Sequence, residues 1–163
     1  MKILLVSHSL PWPLHEGIRQ IVFHLLKGLS PDHEMHLLSF IESADERRHL
    51  HHLEPYCTSI RLVEHPVPKA PWRRLYNMLV QTYPCSVHQF HSKPMQAALQ
   101  ECIRRIQPDV IHFDFTVMAP YAENVQGCAK VFVPSDAMSM LFTRNIAHER
   151  NALYRLYMAS QAR

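Results

Sequence analysis

The feature that most constrains this chain is an alternation of short, apolar, β-rich runs with longer stretches of helical spacing. "KILLV" (2–6) opens the chain as a continuous apolar run, the pattern of a strand buried on both faces. From Gly17 the period changes: Ile18, Ile21, Val22, Leu25, Leu26 and Leu29 follow the spacing of an amphipathic helix, which Ser30-Pro31 stops. "EMHLLSF" (34–40), "SIRLVEH" (59–65), "PDVIHFD" (108–114) and "AKVFVPSD" (129–136) read as four further strands. Between them "SADERRHLHHL" (43–53) reads as a polar helix capped by Ser43, with Glu46 at the capping-box position. A helix is expected over 72–81, with "CSVHQF" entering another. A further one is expected over 92–107, with Ser92 as cap and Pro94 in its first turn. "TVMAPYAE" reads as a short helix, and 137–163 as one last helical stretch. Strand and helix in alternation predict an α/β fold, a Rossmann-like doubly wound parallel sheet.

At 163 residues the chain fits one domain spanning 1–163. Its last helical stretch carries no stop signal, so the chain is expected to be truncated, with a further domain beyond Arg163. A net charge of +3 and the lack of a basic stripe with interleaved aromatics argue against nucleic acid as a partner. The start has only a five-residue apolar run, short of the ~7–15 that a signal peptide needs. No run approaches the ~18 apolar residues of a membrane span. Cys57, Cys85, Cys102 and Cys128 form no CxxC pair, and the expectation is a cytoplasmic chain with reduced thiols.

In doubly wound sheets, ligands gather at the carboxyl ends of the strands. Here that edge comprises Ser7 to Gly17, Phe40 to Ser43, His112 to Thr116 and Pro134 to Ser139. Gly17 opens its helix, where free N–H groups and the macrodipole favour an anion; the plainer role is that of a loop terminator. Neither GxGxxG nor GxxxxGK[ST] is present. Arg19, one turn in, is read as a partner for a phosphate or carboxylate, or as part of a solvated face. His112 is read as lining the cleft or as a core histidine bonded to backbone. Asp114 points to the same side of its strand, and buried carboxylates are rare unless paired, so it is expected in the cleft. His49 and His52 share a helix face without a zinc-like ligand set, so no metal is expected and a solvated face is. Trp12 and Trp72, each beside proline, are read as a sugar-stacking or membrane-facing edge, or as packing on the sheet; "KAPWRRLYNMLV" (69–80) would extend that edge.

"MKILLVSHSLPWPLHEGIRQIVFHLLKGLSPDHEMHLLSF", "PDVIHFDF" and "VFVPSDAMSMLFTRN", in this order, resemble the N-terminal domain of family 4 (group 1) glycosyltransferases of the GT-B fold. The resemblance spans nearly the whole chain. It implies the acceptor half of a retaining enzyme that moves a sugar from a nucleotide-diphosphate sugar to a saccharide or lipid-linked glycan, with no resident cofactor. A second domain, carrying a Glu-x7-Glu motif, would hold most of the donor. By this resemblance Gly17 and Ile18 form the loop that approaches the donor diphosphate, where the family usually has two glycines. His15, Arg19, His112, Asp114, Ser139 and Arg144 belong to the acceptor cleft, Arg144 facing an acidic acceptor. Asp136 is the expected catalytic residue, hydrogen-bonding a sugar; its plainer role is the N-cap of the next helix. With strands in the order 3-2-1-4-5, Gly17, His112 and Asp136 should face one cleft. A lipid-linked acceptor would bring the enzyme to the inner face of the membrane. The alternative is a non-catalytic α/β module that binds carbohydrate or protein.

Overall fold

A computed structural model describes residues 1–65, Val87, 90–134 and 138–161. The expected helix over 72–81 and most of "CSVHQF" (85–90), with Trp72 and Cys85, therefore lie outside the described residues, as does Asp136. Five strands are present: β1 (Lys2–Ser7), β2 (Glu34–Ile41), β3 (Ser59–Glu64), β4 (Val110–Asp114) and β5 (Ala129–Val133). They form one sheet in the order β3-β2-β1-β4-β5, and every pairing is parallel. The α-helices are α1 (Gly17–Leu29), α2 (Lys93–Ile106), α3 (Ala119–Glu123), α4 (Met138–His148) and α5 (Ala152–Gln161). The fold is α/β, Rossmann-like and doubly wound.

Period-two alternation along the strands sends successive side chains to opposite faces. Ile3, Leu5, Met35 and Leu37 pack with Val22, Phe23 and Leu26 of α1 on one face. Leu4, Val6, Leu38, Phe40, Ile111 and Phe113 pack with Met95, Ala98 and Leu99 of α2 and with Tyr121 of α3 on the other. Because β1 is covered on both faces, its run is apolar throughout. The buried stripe of α1 is Arg19, Val22, Phe23 and Leu26, so the helix is turned from the face that its aliphatic residues suggest: Ile21 is exposed.

Two local expectations are corrected. The 43–53 segment is 3-10 helix over Ala44–His52, and the Ser43 side chain makes no capping bond. Glu46 Oε2 instead accepts the N–H of Glu42 at 2.9 Å. Leu50 and Leu53 reach the core, but no residue within Ala44–His52 is fully buried, so the segment lacks the apolar stripe that docks a longer α-helix. The last helical stretch is two helices. Asn151 Oδ1 accepts the N–H of Tyr154 at 3.2 Å, and this side-chain cap starts a new helix without help from glycine or proline. At α2 the expectation holds: Ser92 is the cap, accepting from the Met95 N–H at 3.4 Å, with Pro94 in the first turn.

Candidate functional site

The carboxyl edge of the sheet holds a cavity of about 390 Å³. That is near the lower end of ligand pockets, which run to ~300–1,000 Å³. Each wall comes from a segment that follows a strand or opens α1. His8 and Ser9 follow β1, Glu42 follows β2, His65 follows β3, and Phe115 follows β4; Glu16 and Arg19 come from the start of α1. Phe40 and Phe90 complete the aromatic side. The order of the strands puts β1 and β4 side by side with their crossovers running to opposite sides, which is where such a sheet opens a crevice.

Charge is unevenly distributed around the cavity. Among the described residues, Glu16, Glu42 and Glu46 line it, against a single guanidinium, that of Arg19. Arg19 is buried and engaged through Nε and Nη1: Nε donates to Glu16 Oε2 at 3.1 Å and Nη1 to the Trp12 carbonyl at 2.9 Å. Its Nη1 also lies 3.5 Å from Glu46 Oε1. Arg19 is thus neither a solvated face nor an idle cation awaiting a phosphate. It ties the proline-rich loop and the 3-10 segment to α1.

On the opposite wall, the carboxylate of Asp114 is 1% exposed and lies behind His8, with Oδ2 3.7 Å from His8 Nδ1. Neither atom has a hydrogen-bond partner among the described residues. The His8 ring is tilted over Phe115, with centroids 4.7 Å apart, and meets Phe90 edge-on at 6.1 Å. Phe90 is held from behind by Tyr121, whose hydroxyl donates to the Phe90 carbonyl at 2.6 Å and accepts the Ser92 N–H at 2.8 Å. Burial pushes the Tyr121 hydroxyl up to about 12, so it stays a donor at any physiological pH.

The other expected site residues scatter. Gly17 is exposed, with nothing within 4 Å of where a Cβ would sit, and Ile18 is half-buried; neither lines the cavity. His15 is exposed, 3.5 Å from Glu16. His112 shares its strand face with Asp114 but is set back from the cavity; burial lowers its pKa, against the pull of the Asp114 charge. Gly17 and His112 therefore do not meet in this cleft. Arg144 is exposed on α4, and Ser139 is on the same helix, its side chain outside the description. Trp12 stacks on His52, with centroids 3.9 Å apart at 22°, while no residue of the 3-10 segment that carries His49 and His52 is buried. Among the described residues no cluster of three His, Cys, Asp or Glu side chains could hold a metal ion. Nor, among them, is any helix long and apolar enough to cross a membrane. Cys57, Cys102 and Cys128 are free thiols, and burial pushes Cys57 up to about 12, out of the range of a ready nucleophile.

Residue-level reading missed His8, Glu42, His65, Phe90 and Phe115 as wall residues. The strand-end rule does reach three of them, since His8, Glu42 and Phe115 lie inside segments already marked at the carboxyl edge. Compared with known proteins, the chain matches no family model, no curated protein and no solved structure.

Proposed function

We propose that this chain is the acceptor-side domain of a family 4-like, GT-B-fold glycosyltransferase. It would act with retention of configuration, using a nucleotide-diphosphate sugar as donor and a saccharide or lipid-linked glycan as acceptor. One observation carries the reading: a crevice at the switch point of a 3-2-1-4-5 sheet that combines carboxylates with aromatic faces. Ionised carboxylates only accept hydrogen bonds, and sugar hydroxyls donate them. Phenyl rings such as Phe90 and Phe115 offer apolar faces to the C–H side of a pyranose. With Arg19 already bound to two glutamates, the negative charge of a diphosphate has to be met elsewhere, which is the task of a second domain in this reading. The reaction belongs in the cytoplasm, and at the inner face of the membrane when the acceptor is lipid-linked. Asp136, Ser139 and Arg144 stay assigned to the reacting side on the resemblance alone.

The test is incubation of the purified chain with nucleotide-diphosphate sugars and saccharide acceptors. Electrostatic stabilisation of a departing diphosphate needs cationic donors aimed at it. The expected result is saccharide binding without sugar transfer; donor turnover above buffer would overturn this division of labour.

The carboxylate excess also favours a second reading, a free-standing carbohydrate-binding module with no donor site. Cells with and without the gene separate the two. Loss of one sugar from surface or lipid-linked glycans supports the transferase, and an unchanged glycan composition supports the module.

A further inference from the structure

Two buried polar atoms face each other behind the cavity wall without a hydrogen bond. Asp114 Oδ2 and His8 Nδ1 are 3.7 Å apart, and neither has another hydrogen-bond partner. Leaving a buried carboxylate oxygen unpaired is costly, so each atom is the other's natural partner. A carboxylate beside Nδ1 fixes the neutral imidazole with its proton on Nδ1, and the lone pair is then left on Nε2. Among the described residues, the hydrogen bond recorded at Nε2 is a long one, 3.4 Å, with the hydroxyl of the next residue, Ser9.

The surroundings hold this arrangement firmly. Ser7 Oγ donates to the Ser9 carbonyl at 2.8 Å and fixes the turn that carries His8. Phe115 keeps its ring on His8 while its backbone has φ 74° and ψ 149°. A phenylalanine in that region is strained and persists only where its neighbours over-determine it. Here the Phe115 N–H is bound to the Val133 carbonyl at 2.9 Å. The strain adjoins Asp114 and helps to shape the His8 side of the cavity.

We infer that His8, steered by Asp114, is the group that grips a ligand hydroxyl in this cavity, with Nε2 accepting its hydrogen bond. The inference rests on the saccharide reading given above and names the atom that does the gripping. A hydroxyl bound in this way has electron density pushed onto its oxygen, which makes it the better nucleophile of those on the sugar. Asp114 does not touch the ligand; it is a positioning residue. Glu42 lines the same cavity as a further carboxylate acceptor, so the ligand is a polyol that spends several hydroxyl donors at once.

The test uses the unaltered chain, labelled with nitrogen-15 in its histidines, and methyl glycosides of glucose, galactose, mannose and N-acetylglucosamine. In the free protein at neutral pH, His8 should carry its proton on Nδ1. A glycoside that binds should shift the bare Nε2 in the direction of hydrogen-bond acceptance. His8→Ala should weaken that glycoside about tenfold, the worth of one hydrogen bond in a binding equilibrium. Asp114→Asn should move the proton to Nε2 and weaken the glycoside similarly, with an unchanged circular dichroism spectrum. A proton found on Nε2 of the unaltered chain, or full affinity in His8→Ala, would overturn the inference and leave the saccharide reading standing. If none of the glycosides binds, both fall together.

Discussion

Phe113 on β4 and Phe132 on β5 are the same residue at directly paired positions, on the same face of the same sheet. Phe113 is 0% exposed and Phe132 is 42% exposed. The next pair inward repeats the contrast, as Ile111 is fully buried opposite an exposed Lys130. Strand formation at the two places is equal, because the ladder and the β-favouring side chains are the same. What differs is the cover. Phe113 is enclosed by α2, α3 and β1, whereas β5 has the edge of the sheet beyond it, and Val131 on its other face is 43% exposed as well. An apolar run thus reports that a strand will form, and the neighbouring elements decide what that strand contributes.

The largest expected effect tests this contrast directly. Phe113→Ala should cost ~3–5 kcal/mol in urea unfolding, the range for a buried phenylalanine. Phe132→Ala should cost less than ~1 kcal/mol. Equal losses would mean that β5 is covered as well as β4 and would end the comparison. A smaller effect is expected at the border of the covered region, where Tyr121 bonds the backbone on either side of residue 91. Tyr121→Phe leaves the Phe90 carbonyl and the Ser92 N–H without their partner and should cost ~1–3 kcal/mol. It should also loosen the Phe90 wall, read as faster exchange of the Ser92 amide. No change in that amide would place the support of Phe90 elsewhere.

The smallest effect is in pH. Burial lowers the pKa of His112 on β4 and of His36 on β2 below the ordinary 6.5. Their folded-state values are depressed, so at acid pH the unfolded chain binds more protons than the folded one. Stability is therefore full above pH 6.5 and falls as pH drops through the window below it, levelling only under the folded values. Melts at pH 7.5 and 5 should show the loss, and His112→Gln should reduce it. Val131, which pairs with His112 from the exposed strand, should leave the pH dependence unchanged when replaced by Thr.

The comparison also explains what the sequence could and could not disclose. All five strands and α1 follow from periodicity, because β1, β2 and α1 are built from runs with a single sensible reading. The position of the cavity follows as well, since a parallel sheet gathers its loops at one edge. The residues on its wall do not. Arg19 stands where an aliphatic residue would continue the buried stripe of α1, and only the folded loop shows that Glu16, Glu46 and the Trp12 carbonyl receive its charge. His8 looks like any loop histidine until Asp114, distant in sequence, is brought behind it by the β1–β4 pairing. The break between α4 and α5 was illegible for a different reason: an asparagine cap competes with helix continuation by a margin too small to read from residue type.

That β1–β4 pairing has a consequence for the order in which the molecule can be made. β1 is the central strand, with β2 on one side and β4 on the other. The β2 side can close as soon as α1 and β2 have emerged, but Leu5 meets its partner His112 only after α2 has been synthesised. At ~5–20 residues per second, the roughly one hundred residues between them take about 5–20 s to leave the ribosome. For that interval the middle of the future sheet is an open edge, apolar on both faces. A strand buried at every residue after Lys2 in the finished protein is, during its birth, one in need of a chaperone.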